Sequence, residues 1–104
     1  MTTASIILAA GEGTRMRSRL PKVLHPVAGK PMIWHALQAV KDIVDLPPVL
    51  VVGHGAELVR GFVGESAAYA LQEQQLGTGH AVACARSALE GKADLVLVTP
   101  GDMP

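Results

Sequence analysis

The residues best suited to chemistry stand close together near the amino terminus. An apolar run leads into a loop with two glycines and two well-placed cations, namely Gly11, Gly13, Thr14, Arg15 and Lys22. Glycine lets the backbone approach a ligand closely, successive N–H groups can form an anion-binding concavity, and Arg and Lys donate hydrogen bonds to phosphate. The segment therefore predicts a phosphate-binding loop at the carboxyl end of a buried strand, where open α/β sheets bind ligands. The alternative is a flexible strand-to-helix turn with solvated cations.

Two widespread phosphate-binding motifs do not fit this loop. The dinucleotide fingerprint requires a third glycine where Met16 stands, and the sequence contains no Gly-x-x-x-x-Gly-Lys-Ser/Thr run. The loop therefore predicts phosphate binding of another kind.

A second candidate lies at the other end of the chain. Asp102 is the only carboxylate that directly follows a predicted buried strand. Magnesium prefers one or two carboxylates, with water and substrate phosphates completing its shell. Asp102 is therefore a candidate metal ligand, and the alternative is an Asx-type turn residue.

The elements that must position these residues alternate along the chain. Apolar runs predict strands over residues 5–10, 49–52, 68–71 and 95–98. Helical spacing predicts helices that begin at Pro31 and that cover residues 56–63, and Thr78 is expected to cap a third helix that continues to Leu89. Residues 23–28 are expected to form a short extended piece, and residues 72–78 a polar loop. This alternation is typical of βαβ units with right-handed crossovers. The predicted fold class is α/β, a Rossmann-like parallel sheet flanked by helices.

Composition narrows the classes of partner. Hydrophobic residues make up 49% of the chain and aromatic residues 3%, so the core must be aliphatic, as suits a parallel sheet covered by helices. Lys plus Arg and Asp plus Glu balance at 9 each, which does not favour nucleic acid or membrane surfaces as partners. The sequence shows no signal peptide and no apolar run of membrane-spanning length, so a cytoplasmic location is expected.

We expect the cysteine, the histidines and Trp34 to have structural roles. Cys84 is the single cysteine and is predicted to be a small buried hydrophobe. The histidines show no metal-binding spacing: His35 is expected on the polar face of a helix, and neither His25 nor His80 is assigned a catalytic role. Trp34 is expected to pack between sheet and helix.

Three blocks of the sequence resemble the sugar-nucleotide pyrophosphorylases, which join a nucleoside triphosphate to a sugar phosphate. They are Leu8-Ala9-Ala10-Gly11-x-Gly13-Thr14-Arg15-Met16 with Pro21-Lys22-Val23-Leu24-His25 and Ala28-Gly29-Lys30-Pro31-Met32, then Leu71-Gln72-Glu73-Gln74-Gln75-Leu76-Gly77-Thr78-Gly79-His80-Ala81, then Gly101-Asp102. Within that family, the first two blocks look like the bacterial uridyltransferases that make UDP-N-acetylglucosamine. The related cytidylyl- and molybdopterin-type nucleotidyltransferases share the first block, and the second block argues against them.

The resemblance implies a role for each matched residue. Arg15 and Lys22 would be catalytic and contact the phosphates, whereas Arg17 and Arg19 fall outside the matched positions and are expected to be solvated. Asp102 would hold Mg2+, and Lys30 is either a ligand contact or a turn residue. The nucleotide-binding residues would be Leu8, Ala9, Ala10, Gly11, Gly13, Thr14, Arg15, Lys22, Gln72, Gly77, Thr78, Gly101 and Asp102, of which Gln72, Gly77 and Thr78 would read uracil. An ordinary surface-loop role is the alternative for Gln72.

The resemblance also implies a setting for the chain. Residues 1–104 would form the N-terminal nucleotide-binding part of a longer protein, with spatial strand order third, second, first, fourth. That protein would convert UTP and N-acetylglucosamine-1-phosphate to UDP-N-acetylglucosamine and pyrophosphate for peptidoglycan and lipopolysaccharide synthesis. It would also carry an acetyltransferase domain that makes it a homotrimer. A nucleotide-binding fragment that is inactive by itself stays open as an alternative. Pro100 departs from the pattern, because many relatives carry Tyr or a small polar residue at this position. Proline lacks a backbone N–H, so any backbone donor used there is absent.

Overall fold

The computed structural model describes residues 2–10, 22–53, 56–72 and 78–101, and for Lys22, Thr78, Ser87 and Ala88 it describes the backbone. Its strands are β1 (Thr3–Ala9), β2 (Pro26–Val27), β3 (Lys30–Pro31), β4 (Val49–Val52), β5 (Ala68–Leu71) and β6 (Leu95–Pro100). Its helices are α1 (Met32–Lys41), α2 (Ala56–Val63) and α3 (Thr78–Leu89), with 3-10 turns at Lys22–Leu24 and Gly64–Ser66.

Within the described residues, the four longer strands form one parallel sheet in the order β5-β4-β1-β6. This confirms the predicted fold class and the predicted strand order. Ile6 pairs with Val49 on one side and with Val98 on the other, so β1 occupies an interior position. β1 begins two residues earlier than predicted, and β6 continues to Pro100, which a strand at the edge of a sheet tolerates at its end.

The two faces of the sheet carry different side chains, because successive residues of a strand point to opposite sides. On one face, Ile7, Leu50 and Val52 pack against α1 and α2. Ile33 of α1 and Val59 of α2 contribute to this part of the core. Ala4, Ile6, Val49 and Val51 pack against α3, whose contribution is Ala81, Ala85 and Leu89. The core is aliphatic, as its composition predicted.

β6, one of the two edge strands of the described sheet, is open to solvent. The side chains of β6 from Leu95 to Val98 are 39–55% exposed, although they are all aliphatic. Within the described residues, β6 therefore presents an exposed aliphatic surface at this edge of the sheet. Among those residues, none of the helices has the length and apolar character needed to cross a membrane.

The prediction of an extended piece over residues 23–28 is largely wrong. Lys22–Leu24 forms a 3-10 turn, and Pro26–Val27 is the part that is extended. Proline opposes helical backbone in the residue before it, so Pro26 constrains His25 and leaves Val23 and Leu24 free to turn. The turn buries both apolar side chains, which are 2% and 8% exposed.

A short hairpin fastens this turn to α1. β2 pairs antiparallel with β3 through Ala28 and Gly29, which both have positive φ and so form the kind of two-residue turn that hairpins favour. His35 Nε2 lies 2.7 Å from the Val27 carbonyl oxygen, so this half-buried ring ties α1 to the hairpin and is more than a polar face residue. Trp34 is half-buried beside it, with Lys30 Nζ 5.6 Å from its ring centroid.

Candidate functional site

The carboxyl ends of the parallel strands meet at one edge of the sheet, which we call the carboxyl edge. The residues that follow β1, β5 and β6 at this edge are Ala10, Gln72 and Gly101, and sequence reasoning assigned all three to ligand binding. Open α/β sheets bind ligands at such an edge. The topology therefore brings together segments that lie far apart in the sequence.

The first predicted loop is partly placed by the structure. Leu8 is half-buried, and Ala9 and Ala10 are 2% and 4% exposed, so the first residues of the first block reach the carboxyl edge as expected. Lys22, for which the structure describes the backbone, is the first residue of the 3-10 turn. Gly11, Gly13, Thr14 and Arg15 lie outside the described residues, as do Arg17 and Arg19.

Gly101 has a steric reason to be glycine. Its N–H donates to the Leu8 carbonyl oxygen at 2.9 Å, directly after Pro100 pairs with Leu8. A Cβ at position 101 would lie 3.0 Å from that oxygen and 3.2 Å from Ile33 Cδ1. The end of β6 therefore packs directly against β1, which fixes the point from which the next residue continues. That next residue, Asp102, lies outside the described residues.

Gln72 is buried at the carboxyl edge. Its backbone N–H donates to the Val52 carbonyl oxygen at 2.8 Å, and the residue is 3% exposed. Its side-chain Nε2 lies 2.9 Å from His80 Nδ1 on the first turns of α3. A buried carboxamide needs hydrogen-bonding partners, and this one has them. The alternative that Gln72 is an ordinary surface-loop residue is wrong.

α3 supplies the other side of this contact. The helix begins at Thr78, the residue that was predicted to cap it, and ends at Leu89 as predicted. Gly77 and the rest of residues 73–77 lie outside the described residues. His80 is half-buried, and its Nε2 lies 3.9 Å from Cys84 Sγ, four residues further along the helix. Cys84 is itself half-buried, so it is more exposed than the small buried hydrophobe that the sequence predicted. The polar ring of His80 lies one helical turn from Cys84, which favours a position for Cys84 at the margin of the core.

His80 is the functional candidate that sequence reasoning set aside. The available signal was its place in the second block, within one turn of a predicted helix start and eight residues after Gln72. The pattern did not show that the His80 ring lies against the carboxamide.

The resolved pKa shifts lie away from the carboxyl edge. Burial raises the pKa of Tyr69, and the Arg60 guanidinium, 4.7 Å from its ring, opposes that rise. Hydrogen bonds from the backbone and then the side chain of Thr3 lower the pKa of Asp45 below its usual 3.8. Across residues 2–10, 22–53, 56–72 and 78–101, no three His, Cys, Asp or Glu side chains gather to hold a metal ion.

A separate cleft lies at the opposite end of the sheet. It has a volume of about 490 Å³ and is walled by residues that include Trp34, Pro47, Pro48, Phe62 and Ser66. Pro47 and Pro48 directly precede β4, and Ser66 precedes β5, so the cleft lies at the amino ends of the strands. Its position does not match the ligand-binding edge of an open α/β sheet.

Residues 5–104 match the family model of the MobA-like NTP transferase domain. The chain is 56% identical over 100 residues to the bifunctional protein GlmU of Enterococcus faecalis. It is 53% identical over 100 residues to the bifunctional protein GlmU of Heliobacterium modesticaldum. Each alignment covers 96% of this chain, and the chain spans 22% of the length of each of these relatives.

A solved structure shows the same fold. A Bacillus anthracis protein named as a glucose-1-phosphate thymidylyltransferase, in complex with sucrose, superposes with a TM-score of 0.83 at 29% sequence identity. The superposition covers 97% of this chain and 44% of that chain. The likeness agrees with the parallel sheet and flanking helices described above.

Proposed function

The chain belongs to the MobA-like NTP transferase family, and on that basis we propose that it serves a nucleotidyltransferase that makes UDP-N-acetylglucosamine. The substrates would be UTP and N-acetylglucosamine-1-phosphate, and the second product pyrophosphate. The observation that carries the proposal is 51–56% identity to bifunctional GlmU proteins along almost the whole chain. The buried carboxamide of Gln72 at the carboxyl edge supports it from the structural side.

The reaction requires positioning and charge stabilisation more than covalent chemistry by the protein. A phosphate oxygen of the sugar phosphate attacks the α-phosphorus of UTP, a new phosphorus–oxygen bond forms, and the bond to pyrophosphate breaks. Arg15 and Lys22 are the proposed catalytic residues, because fixed cations stabilise charge that develops on the transferring and leaving phosphates. Leu8, Ala9, Ala10, Gly11, Gly13 and Thr14 would hold the nucleotide mainly through backbone contacts.

Recognition of the base is assigned to the second block. A carboxamide offers both a donor and an acceptor, which suits the edge of a pyrimidine. Gln72 lies at the carboxyl edge with its side chain held in place, as a base-reading group requires. Gly77 and Thr78 complete the proposed uracil site. Gly101 helps to shape the carboxyl edge at the end of β6, on the other side of the sheet from Gln72.

Mg2+ is the proposed cofactor, with Asp102 as its ligand in this chain. A carboxylate is the kind of hard oxygen donor that Mg2+ prefers. The close packing of Gly101 on Leu8 supports the assignment, because it fixes the end of β6 from which Asp102 follows. The bound cation would neutralise phosphate charge. Asp102 would hold it while Arg15 and Lys22 orient the triphosphate.

We further propose the cellular setting that GlmU-like proteins suggest. The protein would act in the cytoplasm and supply a precursor of peptidoglycan and lipopolysaccharide. Residues 1–104 would be the N-terminal nucleotide-binding part of a homotrimer that also carries an acyltransferase domain. The 104-residue piece alone would turn over poorly or not at all.

Pyrophosphate release tests the proposal. The protein expressed from its complete native gene is supplied with Mg2+, N-acetylglucosamine-1-phosphate and one of UTP, CTP, GTP or dTTP. Release with UTP and not with the others is expected. Release with another triphosphate would keep the nucleotidyltransferase reaction and overturn the uracil site, and no release with any would favour a binding module.

A further inference from the structure

We propose that His80 is a positioning residue that fixes the sense of the Gln72 carboxamide and so lets the site prefer uracil over cytosine. This inference rests on the proposed function, because it concerns how that uracil site obtains its selectivity. The structural basis is the contact between Gln72 Nε2 and His80 Nδ1 at 2.9 Å.

Gln72 is held at two points, one on its backbone and one on its side-chain carboxamide. The backbone N–H of Gln72 donates to Val52 at the end of β4, which fixes where the residue leaves the sheet. The side-chain contact then reaches α3, and the residue is 3% exposed. A buried carboxamide gains little from water, so its protein partners decide its orientation.

The hydrogen bond between Gln72 and His80 has a defined donor and a defined acceptor. Gln72 Nε2 can only donate, so Nδ1 of His80 accepts and the hydrogen of the neutral ring lies on Nε2. That second nitrogen lies 3.9 Å from Cys84 Sγ, a weak acceptor on the next turn of α3. The arrangement therefore sets the carboxamide nitrogen towards α3 and the carboxamide oxygen away from His80.

A fixed sense is what discrimination between the two pyrimidines needs. Uracil carries a donor at N3 and an acceptor at position 4, whereas cytosine carries an acceptor at N3 and a donor at position 4. A carboxamide that rotates by half a turn exchanges its donor and its acceptor and so matches either base. A carboxamide that His80 holds in one sense matches one pattern and leaves polar groups unpaired with the other, which is the stronger route to rejection.

Two substitutions of His80 separate positioning from bulk. His80→Phe keeps an aromatic ring and removes the acceptor, whereas His80→Asn places an amide oxygen close to the position of Nδ1. For the protein from the complete native gene, kcat and KM are measured with UTP and with CTP. We expect His80→Phe to lower the UTP-to-CTP ratio of kcat/KM about tenfold, the scale of one hydrogen bond, mainly through KM for UTP. His80→Asn should restore most of the ratio.

Cys84→Ala is the matched control, because it removes a contact on the other side of the same ring. It should leave the ratio within about twofold, since a sulfur acceptor forms a weak hydrogen bond. An unchanged ratio in His80→Phe, or equal losses in His80→Phe and His80→Asn, would overturn the role of His80. Equal use of UTP and CTP by the wild type would instead refute the uracil site itself.

A spectroscopic measurement keeps the proposal testable if a variant does not fold. The 15N chemical shifts of the wild-type imidazole ring report which nitrogen carries the hydrogen. A hydrogen on Nε2 with Nδ1 accepting is the expected result. A hydrogen on Nδ1 would mean that the carboxamide has the opposite sense and would overturn the proposal.

Discussion

The two ends of the parallel sheet use polar groups in different ways. At the amino end, Thr2 and Thr3 donate backbone N–H groups to the carboxylates of Asp94 and Asp45, both at 2.8 Å, and all these contacts are exposed. At the carboxyl end, Gln72 and Gly101 are buried and packed against β4 and β1. The amino end satisfies its carboxylates within the protein, whereas the carboxyl end holds small and polar groups in fixed positions.

The difference follows from what each end must do. The loops that carry Asp45 and Asp94 return the chain from a helix to the next strand, and an exposed hydrogen bond is enough to hold them to the start of β1. The carboxyl end must present groups with little positional freedom, which burial and close packing provide. Substitutions at the two ends should therefore separate effects on stability from effects on activity.

The largest expected effect comes from Asp102, which follows β6 in the sequence. Asp94, which precedes β6, provides the control. Asp102→Asn, at the carboxyl end, should lower kcat/KM about 100-fold or more, because it weakens charge stabilisation at the reacting phosphates. Asp94→Asn, at the amino end of the same strand, should leave kcat/KM within about twofold. Pyrophosphate release at saturating and limiting Mg2+ measures both. Equal losses in the two variants would remove the functional distinction between the ends.

The next effect concerns the tight packing at Gly101. Gly101→Ala places a Cβ 3.0 Å from the Leu8 carbonyl oxygen, so backbone must move, and we expect a loss of about 1–3 kcal/mol in the free energy of unfolding. Activity should fall as well, because the end of β6 shifts. Urea denaturation measures the loss.

Gly61→Ala is the control for this substitution. Gly61 lies in α2, and beyond its chain neighbours and the adjacent helix backbone no atom of the described residues lies within 4 Å of its added Cβ. Alanine there should raise the free energy of unfolding by about 0.5–1 kcal/mol, since glycine is unfavourable in a helix. A stable Gly101→Ala variant with full activity would show that the close approach to β1 is dispensable.

The sequence was a good guide to the elements and to the edge at which they converge. Alternating apolar runs such as Val49–Val52 and the helical spacing of Ile33 and Val40 report which side of each element is buried, and burial largely decides the sheet. The strand order came from the resemblance to a known family. The predicted parallel sheet and the predicted strand order are both confirmed.

The contacts between distant side chains could not be predicted. The sequence does not show that the side chains of Gln72 and His80 meet, or how closely β6 approaches β1 at Gly101. A residue pattern records which positions are apolar or small, and it does not record which atoms meet. The roles of Arg15, Lys22 and Asp102 stay predictions for the same reason.

A smaller effect is expected between the two ends, in the middle of β1. Ser5 is fully buried, and its Oγ has no hydrogen-bond partner among the described residues. A buried hydroxyl without a partner is costly, so Ser5→Ala should raise the free energy of unfolding by about 1 kcal/mol. Ser66→Ala is the control, because Ser66 is exposed and its Oγ donates to the Val63 carbonyl oxygen at 2.9 Å. A clear loss of stability in Ser5→Ala would show that the hydroxyl has a partner.

The smallest effect belongs to the amino end and depends on pH. The backbone N–H of Thr3, and then its hydroxyl at 2.9 Å, donate to Asp45 Oδ2, and they lower the pKa of Asp45 in the folded protein below 3.8. Because the folded protein prefers the ionised carboxylate, this contribution to stability is present above pH 3.8 and is lost as the pH falls through the lower pKa of the folded state.

Asp45→Asn should therefore lower Tm slightly at pH 7. The difference in Tm from wild type should shrink below pH 3.8. Thermal unfolding across this range checks the trend, with Asp42→Asn, on the exposed turn after α1, as the control for loss of a charge. A difference in Tm that stays constant with pH would mean that the shape of the side chain, and not its charge, holds β1 at this end.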